Sequence, residues 1–176
     1  MKSTGIVRRV DELGRIVIPK EIRRTLRIRN GEPLEIFVDK DMINLKKFSE
    51  IDDLGDIAKE IVEIINSIIN KTILVTDRDR FIAASGDLKK LFFDKRISKV
   101  LEKIIKERRI VVENSRHDIQ LLEDEMSYYS YVIYPIIING DAVGSVIILS
   151  DKNDISTIDD NMAYITAQFL IKYIEE

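Results

Sequence analysis

Seven arginines within the first 29 residues are the side chains of this sequence best suited to chemistry. They are Arg8, Arg9, Arg15, Arg23, Arg24, Arg27 and Arg29. With Lys2 and Lys20 the segment has nine positive side chains against three negative ones, although the whole chain has a formal net charge of -3. Guanidinium groups bind phosphate through paired hydrogen bonds, and a local positive potential attracts polyanions even to an acidic protein. Nucleic acid is therefore the first partner that the sequence indicates.

Two short strands are predicted to position the first of these arginines. β-branched residues dominate residues 5–10 and 15–18. Between them lies the sequence DELG, in which Gly14 can adopt the positive φ of a tight turn. One register of this hairpin brings Arg8 and Arg15 to the same face. Two such cations repel each other, but the pair becomes favourable when an anionic backbone lies across both.

A short helix is predicted to position the remaining cations. Pro19 suits the first helical position, and an Asn-Gly pair at residues 30–31 is expected to close the helix. At about 100° per residue, Ile22 and Leu26 fall on one face. The opposite face carries Lys20, Arg23, Arg24 and Arg27. A solvated helix face is the alternative interpretation of such a charge run. A merely soluble helix would mix in acidic partners four residues away, however, and this one has almost none.

A second hairpin is predicted after the helix. Residues 33–39 alternate, with Leu34, Ile36 and Val38 on one face, and residues 42–48 return. Four short strands and one short helix in about 48 residues cannot bury enough surface to be stable alone. Dimerisation is therefore expected of this part of the chain.

Residues 1–48 resemble the AbrB-type swapped-hairpin DNA-binding domain, in the stretch MKSTGIVRRVDELGRIVIPKEIRRTLRIRNGEPLEIFVDKDMINLKKF. The DELGR turn, the IVIPKEIRRTL helix and the LEIFVD hairpin occur in the family's order and spacing. The resemblance implies an intertwined homodimeric β-barrel in which arginines of both protomers grip double-stranded DNA. The arginines that match the family's DNA contacts are Arg8, Arg15, Arg23 and Arg24. Their neighbours of suitable charge are Arg9, Lys2, Lys20 and Arg27.

A second domain is predicted at residues 51–176, after a first domain of residues 1–50, because the polar joint SEIDD separates two compositions. A helix is followed by an apparent hairpin at residues 72–77 and 81–85, and a second helix spans about residues 97–108. Three further strands and a last helix complete the order αββαβββα. The strongest turn signal is Asn139-Gly140, which suits a type I′ hairpin.

Two helices near the ends of this domain carry apolar residues at alternating spacings of three and four, as in a coiled-coil seam. The first seam is Leu54, Ile57, Ile61, Ile64 and Ile68. The second seam is Ile155, Ile158, Met162, Ile165 and Phe169. Such a seam either covers the domain's own sheet or pairs across subunits. We expect at least one to pair across subunits, so that dimers formed through residues 1–50 assemble into a tetramer.

This order of elements, with an antiparallel sheet flanked by terminal helices, resembles a GAF domain, a relative of PAS sensors. The expected fold class is therefore α+β, a swapped-hairpin β-barrel formed by a dimer plus a GAF-like sheet. Joined to an AbrB-type head, the domain resembles regulators of endospore formation that activate some genes and repress others. GAF domains hold cyclic nucleotides, amino acids or chromophores. The chain has no convincing cyclic-nucleotide signature and no cysteine, so no cofactor is expected and an unidentified small molecule stays open.

Enzymatic function is disfavoured, and neither a catalytic residue nor a metal ligand is predicted. The adjacent His117 and Asp118 could form a base with its orienting carboxylate, but no nucleophile or second ligand accompanies them. The chain also lacks a phosphate-binding G-x-x-x-x-G-K loop. The strand tyrosines are more typical of core packing than of a stacking pocket. These are Tyr128, Tyr129, Tyr131 and Tyr134.

An antitoxin is the alternative binding protein, because related swapped-hairpin barrels neutralise toxins. That class usually carries a disordered tail, whereas this chain continues into a sequence typical of a folded domain. Neither a secretion signal nor an apolar run of about 20 residues is present. We therefore expect a cytoplasmic protein without a membrane partner. Residues 51–176 carry 16 basic and 23 acidic side chains, so we expect this domain to act by assembly and not by touching DNA.

Overall fold

The computed structural model describes residues 5–48 and 55–175. The expectations for Lys2 and Leu54 lie outside these described residues. The chain divides into two compact units, Met1–Phe48 and Ser49–Glu176. They are called the N-terminal unit and the C-terminal unit below.

One helix and one β-hairpin make up the regular structure of the N-terminal unit. Helix α1 covers Lys20–Thr25. Strands β1 (Leu34–Asp39) and β2 (Met42–Lys47) pair antiparallel, with Asp39 opposite Met42. Lys40 has a φ of 53° in the turn between them. The hairpin predicted from the alternating pattern is confirmed.

Helix α1 is shorter than the sequence predicts. Pro19 occupies the N-cap, one residue before the first helical position, and Arg27 adopts a φ of 53° just past the helix end. The N–H of Arg27 donates to the carbonyl of Arg24 at 3.3 Å, and the N–H of Ile28 donates to the carbonyl of Arg23 at 2.7 Å. This pair of bonds is a Schellman closure. The prediction that Asn30 and Gly31 end the helix is therefore wrong, because a left-handed arginine ends it first.

The two strands predicted at residues 5–10 and 15–18 are not formed in the single chain. The N–H of Asp11 donates to the carbonyl of Arg15 at 3.0 Å, and Gly14 has the predicted positive φ, at 75°. Beyond this turn, residues 5–10 and 15–18 form no ladder, so the pairing of Arg8 with Arg15 stays a prediction. A strand needs a neighbouring backbone for its hydrogen bonds, which these segments lack within one protomer.

A five-stranded antiparallel sheet forms the centre of the C-terminal unit, in the order β4-β3-β7-β6-β5. The elements are α2 (Gly55–Ile69), β3 (Thr72–Thr76), β4 (Phe81–Ser85), α3 (Lys89–Phe92), α4 (Lys99–Lys106), β5 (Val111–Leu122), β6 (Glu125–Ile138), β7 (Asp141–Ser150) and α5 (Thr157–Glu175). The predicted order is confirmed apart from the short α3. Asn139 and Gly140 both have positive φ, at 49° and 83°, as a type I′ turn requires. No helix in the described ranges is long and apolar enough to cross a bilayer.

Helices cover both faces of this sheet. Helices α2 and α5 pack on one face, and α3 and α4 pack on the other. Beneath α3 the ring centroid of Phe92 lies 5.1 Å from that of Phe81 and 6.4 Å from that of Tyr129. Tyr129 and Tyr131 are core residues, as predicted, whereas Tyr128 is exposed. The hydroxyl of Tyr134 donates to Asp160 Oδ1 at 2.9 Å.

In each terminal helix of the C-terminal unit, the buried residues that face the sheet are neighbours of the predicted seam residues and not the seam residues themselves. The core-facing residues of α2 are Ala58, Val62 and Ile65, and those of α5 include Ala163, Ala167 and Leu170. Both stripes lie about 100° around the helix from the seams. Ile57, Ile61 and Met162 are partly buried against the core. The exposed seam residues are Ile64, Ile68, Ile158, Ile165 and Phe169. Ile155 is buried and precedes α5, so its assignment to a helix seam is wrong.

A buried ion pair connects the start of α5 to Lys71, in the two-residue link between α2 and β3. Lys71 Nζ lies 2.5 Å from Asp159 Oδ2, and the two side chains are 10% and 3% exposed. The backbone N–H and the hydroxyl of Ser156 also donate to Asp159 Oδ2, each at 2.7 Å. Burial raises the pKa of Asp159, but the hydrogen bonds from Lys71 and Ser156 outweigh it and the pKa is lowered. The pair therefore supports the C-terminal unit with a charged carboxylate.

Candidate nucleic-acid interface

Asp11 organises the turn that presents Arg15. Its Oδ1 accepts the N–H groups of Leu13 at 3.0 Å and of Arg15 at 2.8 Å, and its Oδ2 accepts Arg15 Nε at 2.8 Å. Hydrogen bonds from the backbone and side chain of Arg15 lower the pKa of Asp11. The Arg15 side chain is nevertheless 70% exposed. Asp11 thus orients the guanidinium group and leaves most of it accessible to a phosphate.

Arg23 and Arg24 lie side by side near the end of α1 in different environments. Arg24 is exposed, whereas Arg23 is half-buried and donates from Nη1 to Asn30 Oδ1 at 2.9 Å. The Nε of Arg23 is buried and has no hydrogen-bond partner among the described residues. A buried donor without an acceptor costs about 1–3 kcal/mol. The surroundings of Arg23 are therefore incomplete in one isolated chain.

The other candidate cations lie near the Asp11–Arg15 turn or near the ends of α1. Arg8 and Arg9 are exposed, and Arg8 Nη1 donates to the carbonyl of Val7 at 3.0 Å. Lys20 is exposed at the start of α1, and Arg27 is half-buried after its end. The structure brings Arg15 to Asp11 and Arg23 to Asn30, but it does not set Arg8 against Arg15.

Three polar residues that hold basic residues of this unit were not identified from the sequence. Two are Asp11 and Asn30, which bind Arg15 and Arg23. The third is Glu32, whose side chain is 4% exposed and lies 3.3 Å from Lys47 Nζ. It also accepts the backbone N–H of Arg29 at 2.6 Å. In the sequence, each of these residues is an acid or amide close to a run of arginines. Which basic residue it binds depends on the loop geometry, which the sequence does not show.

The N-terminal unit has no buried core of its own. Among residues 5–48, only Pro19 is buried. On the β1–β2 hairpin, Ile36 and Val38 are 64% and 73% exposed, and Ile43 is 66% exposed. Val38 pairs with Ile43 across the hairpin, so these side chains form one apolar face. An apolar face of this kind marks an interaction surface.

Comparison with known families places the whole chain. The family model described as the stage V sporulation protein T C-terminal, transcription factor, matches residues 53–175. Stage V sporulation protein T of Bacillus subtilis (strain 168) is 45% identical over 180 residues, with 100% of each chain covered. The chain belongs to the stage V sporulation protein T family. The resemblance of the full length to an AbrB-type head joined to a GAF domain is confirmed.

The N-terminal unit of this family member has its own relatives. The transition state regulatory protein AbrB of Bacillus subtilis (strain 168) is 67% identical over 48 residues, which are 27% of this chain and 50% of the relative. The family model for the bacterial antitoxin MazE, described as antidote-toxin recognition, matches residues 7–47. The AbrB-type assignment and the dimerisation it implies agree with the missing core.

The C-terminal unit has the fold of a GAF domain. The GAF domain of an Acinetobacter phosphoenolpyruvate-protein phosphotransferase has a TM-score of 0.56 and 12% sequence identity. The match covers 74% of this chain and 84% of that one. The predicted α+β class, with an antiparallel sheet between helices, is confirmed.

Proposed function

We propose that this protein is a DNA-binding transcription regulator of endospore formation that activates some genes and represses others. The observation that carries the proposal is the exposure of Arg8, Arg15 and Arg24 on a unit that is 67% identical to AbrB. Arginines distributed over a turn and a helix suit phosphate contacts better than base reading by one recognition helix. Binding is therefore strong, dependent on salt and only modestly selective for sequence.

A second copy of the chain completes the binding unit. Two N-terminal units bury the apolar face of Ile36, Val38 and Ile43 and supply backbone partners to residues 5–10 and 15–18. The intertwined dimer doubles the cations facing DNA. The arginines in contact are Arg8, Arg15, Arg23 and Arg24, with Arg9, Lys2, Lys20 and Arg27 beside them.

The C-terminal unit joins two such dimers into a tetramer. The support is the pair of seams, which leave Ile64 and Ile68 of α2 and Ile165 and Phe169 of α5 exposed beside a complete core. In each helix, apolar residues on a stripe separate from the core-facing one indicate a second packing surface. Two linked dimers engage two DNA sites at once, and the second binding event becomes intramolecular.

A salt titration of the full chain on duplex DNA tests the DNA-binding model. Eight phosphate contacts, four from each protomer of a dimer, give a slope of log affinity against log salt of about -7, at roughly 0.9 for each contact. A slope near -2 at roughly 0.9 for each contact would correspond to two phosphates and would reject the eight-contact model. Fluorescence anisotropy across a range of salt concentrations supplies the measurement.

A small-molecule sensor in the C-terminal unit is a second candidate function, supported by an open groove of about 600 Å³. It runs between α4, β5 and β6 and includes Val100, Ile104, Ile110, Val112, Met126 and Tyr131. The lining also includes Arg109, Glu113, Asp118 and Gln120, so the groove offers polar groups beside an apolar surface. Native mass spectrometry of protein isolated from its own cytosol measures the oligomer and any retained ligand together. An antitoxin role is supported by the MazE family match alone, and the folded C-terminal unit argues against it.

A further inference from the structure

Charge is unevenly distributed in the C-terminal unit. Residues 89–109 carry nine basic and three acidic side chains, whereas the rest of residues 51–176 carries seven basic and 20 acidic ones. All nine of the basic side chains are exposed. They form the α3–α4 basic face, which consists of Lys89, Lys90, Lys95, Arg96, Lys99, Lys103, Lys106, Arg108 and Arg109. Helices α3 and α4 pack on the side of the sheet opposite α2 and α5, although Lys89 at the edge of the basic face lies 3.3 Å from Glu63 of α2.

Helix α4 holds three of these lysines in a line. Lys99, Lys103 and Lys106 are spaced four and three residues apart, on the side opposite the buried Leu101 and Ile105. The helix is fixed at its start by Ser98, whose Oγ accepts the N–H of Leu101 at 3.0 Å and donates to the carbonyl of Gln120 at 2.5 Å. The lysines therefore project from a helix anchored on the core.

Most of the basic face has no acidic partner. Within the described ranges, no ion pair is formed by Lys90, Lys95, Arg96, Lys99 or Lys106. Lys103 lies 3.7 Å from Glu107, but both side chains are well exposed, and such surface pairs contribute little. Like charges three and four residues apart destabilise a helix. A bound polyanion would relieve this repulsion.

We propose that the α3–α4 basic face binds the phosphate backbone of double-stranded DNA beside the site gripped by the N-terminal unit. Lys99 to Lys106 spans about 10 Å at 1.5 Å per residue. The same length measured along the axis of B-DNA carries about three phosphates of one strand, at one per 3.4 Å of axis. Lysine is a common phosphate ligand but is depleted from protein–protein interfaces, which favours DNA over an acidic protein.

The proposal differs from the expectation, drawn from average charge, that this acidic domain does not touch DNA. The average charge of residues 51–176 conceals one face of opposite sign. The proposal rests on the proposed function, because the N-terminal unit must first bring DNA to this face. Tethering then raises the local phosphate concentration, so weak lysine contacts become effective.

The test replaces three charges in the full chain with Lys99→Gln, Lys103→Gln and Lys106→Gln. Two duplexes are titrated by anisotropy across salt concentrations, one of operator size and one extended by about 20 base pairs, or roughly 70 Å at 3.4 Å per pair. On the long duplex the salt slope should become shallower by about 3 for each face in contact, at roughly 0.9 for each lost phosphate contact. On the short duplex it should not change.

A matched control applies the same charge change elsewhere in the C-terminal unit, with Lys59→Gln, Lys152→Gln and Lys172→Gln. This control should bind the long duplex with the wild-type slope. An equal loss in both triple variants would assign the effect to overall charge and overturn the proposal. An unchanged slope in the α4 variant would also overturn it, and capture of an acidic polypeptide such as polyglutamate would then identify a protein partner. Failure of the wild-type chain to bind either duplex would instead reject the N-terminal DNA site.

Discussion

The N-terminal and C-terminal units differ in where their apolar side chains are buried. The C-terminal unit buries clusters on both faces of its sheet, and residues such as Val62, Phe92 and Ile147 have no exposed surface. The N-terminal unit buries none of its large apolar side chains in residues 5–48. Apolar exposure in the single chain therefore differs between the units. The C-terminal unit has its own core and leaves apolar stripes exposed beside it, whereas the N-terminal unit exposes an apolar face that we propose is covered by a second protomer.

The sharpest test of this difference is a charge placed on each kind of exposed valine. Val38 is 73% exposed in the N-terminal unit, and Val100 is 44% exposed on α4. Val38→Asp should abolish DNA binding and reduce the proposed tetramer to dimers joined through the C-terminal units, because burying an unpaired charge costs several kcal/mol. Val100→Asp should change stability by no more than about 0.5 kcal/mol, as surface substitutions do. Sedimentation equilibrium and a DNA titration measure the two effects.

If exposure in the single chain determined the free-energy cost of each substitution, Val38 would tolerate the charge better than Val100. A Val38→Asp variant with the wild-type assembly and normal DNA affinity would therefore show that the β1–β2 face is not covered by a second copy. Circular dichroism controls for general unfolding. The C-terminal unit has its own core, so most of the helix and strand signal should be kept in the variant.

The second test removes the buried ion pair of the C-terminal unit, which has its own core. Asp159→Ala leaves Lys71, which is 10% exposed, without its carboxylate. Removing one partner of a buried pair costs about 3–5 kcal/mol. The C-terminal unit should unfold at a correspondingly lower denaturant concentration. A loss under about 1 kcal/mol, the range of exposed pairs, would show that the pair is effectively solvated.

Acid should reproduce part of this loss in the wild-type protein. The folded pKa of Asp159 lies below its ordinary value of 3.8. Its contribution is therefore complete above the unfolded pKa and is lost as the pH falls through the folded pKa. Asp77 opposes this trend, because burial raises its pKa. Denaturant unfolding of wild type and Asp159→Asn between neutral and acidic pH should show a smaller acid-dependent loss in the variant.

Elements with local causes could be predicted from the sequence, and elements that depend on distant partners could not. The β1–β2 hairpin and the Asn139-Gly140 turn follow from alternation and turn chemistry. The strands expected at residues 5–10 and 15–18 need a backbone that one protomer does not supply. The phase of α2 was ambiguous because its apolar residues occupy an arc of about 160°, which is wider than one packing stripe. Spacing alone could not show whether Ile61 or Val62 faces the sheet.

The third test concerns the exposed stripes of the C-terminal unit. Ile64→Asp with Ile68→Asp, or Ile165→Asp with Phe169→Asp, should convert a tetramer into dimers without unfolding the unit. Affinity for long DNA should fall on the order of 100-fold, because the effective-concentration advantage of two linked dimers is lost. Sedimentation equilibrium beside the DNA titration identifies the seam that joins subunits. A wild-type chain that sediments as a simple dimer would reject the assembly model.

The residue types of the candidate site are predicted from the sequence, but the hydrogen bonds that hold them were not. Charge and the family pattern identify Arg15 and Arg23 directly from the sequence. Their partners Asp11 and Asn30 are set by a turn and by the early end of α1. That end depends on a left-handed Arg27, which residue preferences do not favour. A general propensity argument therefore could not locate these contacts.

The smallest expected effect separates direct contact from positioning in the helix arginines. Arg23→Ala and Arg24→Ala should each weaken DNA binding by at least about 1 kcal/mol, near the low end for a charge-assisted hydrogen bond. Each should also flatten the salt slope by about 2 in a dimer, at roughly 0.9 for each phosphate lost. Circular dichroism should show an intact fold.

Asn30→Ala completes this comparison, because it removes the acceptor of Arg23 Nη1 at 2.9 Å and keeps every charge. If Asn30 only positions the guanidinium group, affinity should fall by less than in Arg23→Ala, and the salt slope should stay at the wild-type value. The double variant of Arg23 and Asn30 should then bind no more weakly than Arg23→Ala alone, since the amide would have nothing left to position. Additive losses in that double variant would mean that Asn30 contacts DNA independently. An unchanged affinity in Arg23→Ala would remove Arg23 from the interface and leave the exposed Arg24 as the helix contact.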